Sequence, residues 1–432
     1  MTPFGRLIRE LSPHGLLTLS DHLVVCDSHH HALFLDQTIT DALGGESWAV
    51  RQKAAFEACH VLLSSLARDL GAGDAESVLT LAAEVFAALG HGLLQFELTP
   101  EGGTVRGAAL YHGHGFLEQY GDRLTSRKPL CAFASGFCSA AASLAFPSDW
   151  GVLDSEEVSC VGRGDPECVF RLARRPDRPR VGTVVTRAAV AAMHAELPDA
   201  GADARAAESA ARAAKVIDDV SADPAGSVRL FGVRMAIVPG AYLGQITYDT
   251  MHLVEKRSPE LYPVFFALVR EAATMGAFHQ LGGALASPRL SREQKTARGD
   301  SAWPTPAEVS RDPGERLADL VGFARAFGWG GFYASEHRPG RSLTLTAAVT
   351  HESAYYAARH GSTIRHRLAA QQGIALALAL LVDHVDFSRP DPLSPGTYAD
   401  IVSGPPRYHV EETRSVLRGD AVCEVVVEAL DR

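Results

Sequence analysis

Three cysteines and a glutamate close to one short turn are the residues in this chain best suited to chemistry. Glu157, Cys160 and Cys168 lie in EEVSCVGRGDPECVF, and Cys131 precedes them in PLCAFASGFC. Soft and anionic donors at this spacing are the material of a closed metal site. Three thiolates and one carboxylate complete a tetrahedral shell that suits zinc in a structural role. Cys160 and Cys168 flank VGRGDPE, whose glycines and proline turn the chain, so the two thiols can face each other across the strand ends. Glu157 and Cys160 are three residues apart, so both reach one point only if the strand bends or ends between them. The bland alternative is a set of buried, inert cysteines.

A second group invites a catalytic reading. Cys26, Asp27 and His30 at a helix start offer a thiol nucleophile with a base, the skeleton of acyl transfer. No recognisable oxyanion loop accompanies them, and a capped helix with satisfied histidines is the competing reading. Adjacent helical residues point about 100° apart, so His29, His30 and His31 cannot converge on one ion. His30 is the one expected to face inward. GHGLLQ and GHGFLE lack the third glycine of a dinucleotide fingerprint, and no Gly-x-x-x-x-Gly-Lys-Ser/Thr phosphate loop is present.

The elements that must carry these residues follow from pattern and composition. With 432 residues, 46% hydrophobic and 21% charged, the chain is expected to bury two cores. A net charge of -10 disfavours nucleic acid as a partner. No apolar run has the length of a membrane span, and MTPFGRLIRE has no signal-peptide core, so the expectation is a cytoplasmic protein without membrane contact. Seven cysteines in so long a chain are no disulfide framework.

LLTLSDHLVV (16–25) reads as one strand, followed by a helix capped by Asp27 or Ser28 and running to Gly44. Helices are expected from Ser47 to about Leu70, over 78–90, and over PLCAFASGFCSAAASLAF. GLLQFELTPEGGTVRGAALYH reads as a hairpin turning at Pro100–Gly103, and a second hairpin carries Cys160 and Cys168. This order defines an α+β domain over 1–173. RRPDRPR and the Ala-rich stretch after it make 174–225 a linker with a solvated or docking helix.

Residues 226–432 then repeat the first domain. CDSHHH matches YDTMHL, pairing Asp27 with Asp249 and His30 with His252. ACHVLLSSLA matches AFHQLGGALA, pairing His60 with His279. ALGHG matches AFGWG, TPEGG matches HRPGR so that His112 stands opposite His351, and RGDPEC matches RGDAVC. Two like domains in one chain are expected to pack in a pseudo-twofold arrangement, as an internal homodimer.

The string from Cys131 to Phe170 resembles the 4-vinyl-reductase domain family, in particular the input domains of phenol- and xylene-responsive transcription activators, which are similar to a TRAPP-type α+β ligand-binding fold. About 40 residues carry the resemblance: Cys131, then Gly136-Phe137, then Glu157 three residues before Cys160, then Cys168. One departure is the longer FPSDWGVLDSE before Glu157. The resemblance implies a structural zinc on Cys131, Glu157, Cys160 and Cys168. It also implies a pocket for a small aromatic or heteroaromatic ligand at Tyr111, His112 and His114, within AALYHGHGFLEQYG. The matching positions of the second repeat are Leu368, Glu412, Ser415 and Cys423, a set too poor in ligands for zinc. The chain is therefore expected to be a small-molecule-binding, sensor-like protein whose state is read by a protein partner. The alternative is an enzyme, or an accessory subunit of a biosynthetic pathway, using the region of Cys26, His30 and His112.

Overall fold

The computed structural model describes residues 9–12, 15–121, 124, 126, 128–148, 151–175, 204–219, 222–287, 293, 309–361, 366–389, 391–394 and 396–430. Most of the expected linker lies outside these residues.

In the first half, strands β1 (Arg9–Leu11), β2 (Leu17–Leu19) and β3 (His22–Ser28) lead into helices α1 (His29–Leu43), α2 (Ser47–Leu70) and α3 (Ala75–Ala88). The hairpin β4 (Leu93–Thr99) and β5 (Gly102–Ala108) follows, then α4 (Tyr111–Tyr120), α5 (Ala132–Ala145), β6 (Val152–Ser159) and β7 (Cys168–Arg175). The expected strand over 16–25 is instead a tight hairpin. Ser20 and Asp21 both take positive φ, 46° and 66°, and small polar side chains tolerate the left-handed turn that reverses β2 into β3. Ser28 caps α1 by accepting the His31 N–H, and Asp74 with Ser77 forms a capping box on α3.

Helix α6 (Ala204–Asp219) docks on the second half through Asp319, to which Arg205 donates at 2.9 Å and Arg212 at 3.4 Å. The second half then repeats the order: β8 (Val228–Leu230), β9 (Val233–Pro239), α7 (Gly240–Arg257), α8 (Tyr262–Ala286), α9 (Pro313–Ala326), β10 (Gly330–Arg338), β11 (Ser342–Thr350), α10 (His351–His360) and α11 (Ala369–His384). A short α12 (Thr397–Val402) precedes β12 (Tyr408–Arg414) and β13 (Cys423–Ala429).

All strand pairings among the described residues are antiparallel. Each half owns a four-stranded sheet, β4-β5-β7-β6 in the first and β10-β11-β13-β12 in the second. The third sheet, β1-β2-β3-β9-β8, belongs to both halves, because β3 pairs with β9 from Val24↔Pro239 to Ser28↔Met235. Backbone bonds cross the same seam in both directions: Cys26 N–H donates to Phe327 O and Ile237 N–H to Leu89 O, both at 2.9 Å. Helix α1 correspondingly lies along α8 of the other half more than along its own α2. Gly276 permits this approach, since a Cβ there would fall 2.5 Å from His31 Cβ.

The repeat is real in element order, but several residue pairings differ from those read in the sequence. Helices α1 and α7 start directly after β3 and β9, so His30 stands where Ala241 does, and Asp249 and His252 lie well inside α7. A Cβ on Gly136 would meet Gln52 O and Ala55, as one on Gly373 would meet Arg270 O and Ala273, which sets His60 opposite Phe278 rather than His279. Tyr111 N–H donates to His91 O as His351 N–H does to Trp329 O, so Tyr111, not His112, is the counterpart of His351. The CDSHHH match slides by eleven residues, from an offset of 222 to 211, and the match at His60 by one, whereas Gly164 and Gly419 of the RGD turns keep their correspondence with the same φ of 90° because backbone geometry pins them.

Candidate metal centre and ligand cavity

The four residues expected to bind metal come together. Cys131 precedes the first residue of α5, Glu157 stands in β6, Cys160 directly follows β6, and Cys168 opens β7. The strand bends as their spacing requires, at a register shift between Glu157 and Ser159. Beyond it, Cys160 N–H donates to Asp165 Oδ2 at 2.7 Å, and Gly164 turns the chain at φ 90°. All four residues are buried, with ligand atoms within 4.8 Å of one another and Cys131 Sγ 3.9 Å from Cys168 Sγ. Helix α4 passes close because residue 113 is glycine: a Cβ there would lie 3.3 Å from Cys131 Sγ.

The electrostatics ask for a cation. Burial, then the neighbouring Cys160, pushes the Glu157 carboxyl up to about 8. Cys131 is raised by its hydrogen bonds to Cys160 and Cys168 and then by burial, while those same thiol donors favour the Cys160 thiolate. Four acidic groups in one dry space cannot all ionise alone, and a divalent ion reverses that penalty. Glu157 Oε2 accepts the Cys131 N–H at 3.0 Å, whereas the buried Oε1 has no partner. Three sulfurs and this orphaned oxygen fit a metal ion.

The twin site keeps the scaffold and changes the donors. Leu368 N–H donates to Glu412 Oε2 at 2.7 Å, Ser415 N–H donates to Asp420 Oδ2 at 2.7 Å, and the register shift recurs between Glu412 and Arg414. Leu368 and Ser415 replace two thiols, both fully buried. Arg418 Nη2 approaches Glu412 Oε1 to 3.6 Å, bringing a guanidinium charge near the carboxylate.

The other expected site residues fall in different places. Tyr111 and His112 are buried in α4; the Tyr111 hydroxyl donates to Asp27 O at 3.1 Å, and His112 Nε2 lies 3.7 Å from Asp36. His114 lines an outer groove with Arg106 and Glu167. Cys26 and His30 part company: His30 stacks on His279 with ring centroids 4.2 Å apart, whereas of the three adjacent histidines it is His31 that shares a cavity with Cys26. Of the three histidines His29 is the most buried, because the first turn of α1 aims it at β9, where its Nδ1 lies 3.3 Å from Arg234 O.

That cavity, of about 30 Å³, lies on the second-half side of the seam, walled in part by β3 and α1 of the first half, and was not anticipated from the sequence. Asp27, His31, Gln280, Trp329, His351 and Ala370 contribute to its wall. His31 Nδ1 pairs with Asp27 at 2.7 Å. Gln280 Nε2 and Trp329 Nε1 donate to Cys26 O at 3.3 and 3.0 Å, leaving the buried Gln280 Oε1 without a partner. The same place in the first half is filled: Phe133, standing where Ala370 does, packs 4.5 Å from the His91 ring and 4.9 Å from Tyr242. The one legible signal was the exchange of His91 for Trp329 between ALGHG and AFGWG.

Fold and site together define an α+β protein with antiparallel sheets and a buried Cys₃Glu group able to hold a metal ion. Among the described residues, no helix is long and apolar enough to cross a membrane. No family model and no curated protein matches the chain. Among solved structures it is similar to the crystal structure of the phenol-responsive sensory domain of the transcription activator PoxR with phenol. The identity is 16%, the coverage 37% of this chain and 80% of that chain, and the TM-score 0.30.

Proposed function

We propose that the chain is a zinc-stabilised, small-molecule-binding protein made of two tandem 4-vinyl-reductase-like domains, 1–173 and 226–432, joined through 174–225. The observation that carries this reading is the buried set Cys131, Glu157, Cys160 and Cys168. Its donors would hold zinc in a closed shell with no position left for a reactive water, so the ion would tie β6, β7 and α5 together. The twin site, with two thiols replaced, would work without metal.

The ligand would be a small aromatic or heteroaromatic molecule entering the second-half cavity, where Trp329, His31 and His351 offer flat faces with polar edges. A volume of about 30 Å³ admits about one water, so a ring enters only as the walls part. Two of those walls, Gln280 and Trp329, hold the β3 strand of the other half. Occupancy would thereby bias the seam between the halves, the kind of population shift that a protein partner can read. Tyr111, His112 and His114 remain the first-half candidates for a second ligand contact. A cytoplasmic location fits this role.

Metal analysis together with thermal shift tests the reading. One zinc per chain, and a rise in Tm with phenol that Ala370→Phe abolishes, are the expected results. Protein that carries no metal, or a Tm unmoved by any small aromatic probe, would overturn it.

A further inference from the structure

A wider cleft of about 750 Å³ opens on the other side of α1, apart from the zinc group and the small cavity. Its walls come from both halves: the start of α1, the end of α4, the β8–β9 turn, α8, and the segment around α12. Its size is that of a ligand site rather than a packing defect.

The cleft is lined by a row of rings. His29 and His30 have centroids 4.0 Å apart, His30 and His279 are stacked at 4.2 Å with planes 25° apart, and Tyr398 lies 5.8 Å beyond His279. Two residues of this wall, His30 and Gln119, each carry a buried polar atom without a hydrogen-bond partner, Nδ1 and Oε1. Buried polar groups are seldom left unpaired, so two in one cleft indicate a missing partner. The lining charges are two carboxylates and one guanidinium, Arg229. Glu118 is shared by Arg229 and Arg234, and Asp391 adds a second carboxylate. Burial keeps the imidazoles neutral, with His29 and His279 each pushed down to about 4. An anion would find no net positive surface here.

We propose that this seam cleft binds a neutral, planar nitrogen heterocycle of purine size or larger. Its ring face would stack on the His279–Tyr398 end of the row, and its donor and acceptor edge would pair with His30 Nδ1 and the Gln119 amide. Such a ligand touches α1 and α4 from one half and α8 from the other, so it would clamp the seam from outside.

Isothermal titration of the full-length protein with adenosine and with riboflavin tests the site. Saturable binding of at least one probe is expected, weakened tenfold or more in His279→Ala and in Gln119→Leu. Gln119 is only half-buried, so its variant keeps the test alive if His279→Ala does not fold. Binding should persist in Ala370→Phe, which closes the small cavity and leaves this cleft alone. The proposal is overturned if neither probe binds, if both cleft variants retain wild-type affinity, or if Ala370→Phe abolishes binding. The last result would move the ligand to the other cavity.

Discussion

His91 and Trp329 occupy matching corners of the two halves, and each reaches across to the other. His91 Nε2 donates to Ile237 O at 2.8 Å and Trp329 Nε1 donates to Cys26 O at 3.0 Å. Those two acceptors belong to residues that sit directly opposite each other in the β3–β9 pair. Each half thus grips the first long strand of its neighbour with a ring N–H and a backbone carbonyl. The seam is built like the interior of a domain, not like a contact between finished ones.

It follows that neither half should fold alone. Fragments 1–173 and 226–432 expressed separately are expected to lack cooperative thermal unfolding, and mixing them should restore one transition. Two independent transitions in the intact chain, seen by calorimetry, would contradict the shared sheet.

The metal prediction is an asymmetry between twins. Cys160→Ala should release zinc and cost much of the first half's stability, since structural zinc contributes on the order of 10 kcal/mol to the folded state in small zinc domains. Cys423→Ala, at the matching position, should leave metal content unchanged and cost about 1–3 kcal/mol of packing. Zinc stoichiometry and denaturant midpoints of the two variants decide it.

Phe133 and Ala370 make a complementary pair of tests. Phe133→Ala should cost about 3–5 kcal/mol and open a first-half cavity like that of the second half. Xenon or small-arene binding measured by NMR should appear in that variant.

Acid should unfold the protein through histidines buried uncharged. Burial pushes His91 down from 6.5 to about 3, and His29 and His279 down to about 4. A folded pKa below the unfolded one means that the stabilisation is complete above pH 6.5. It is lost as pH falls from there toward the folded values, at up to about 1.4 kcal/mol per pH unit for each residue. His91→Gln keeps a donor for Ile237 O and removes one titrating ring. Its pH-unfolding midpoint, followed by circular dichroism at fixed zinc, should therefore lie below that of the wild type.

The hairpin that carries Glu157, Cys160 and Cys168 was legible because its signals are local. Donor residues, a Gly-Asp-Pro turn and period-two alternation within about 40 residues fix both the turn and the side on which the thiols emerge. The same holds for the α+β element order and for the loss of two donors in the second copy. The β2–β3 turn was missed because Ser-Asp turns on backbone freedom rather than on a glycine or proline that sequence reading recognises.

What the chain alone determined, then, is everything carried by near neighbours: the elements, the repeat, and the four atoms that suit a metal. Tertiary structure decided the rest, because β3 and β9 each pair with a neighbour in their own half along one edge, and nothing local says that their other edges meet across the seam. Packing of α1 on α8, which Gly276 permits, acts with the crossing bonds of His91 and Trp329 to hold that cross-seam exchange. That exchange brings Asp27 and His31 to Trp329, and His30 to His279, joining residues some 250–300 positions apart that no spacing rule connects.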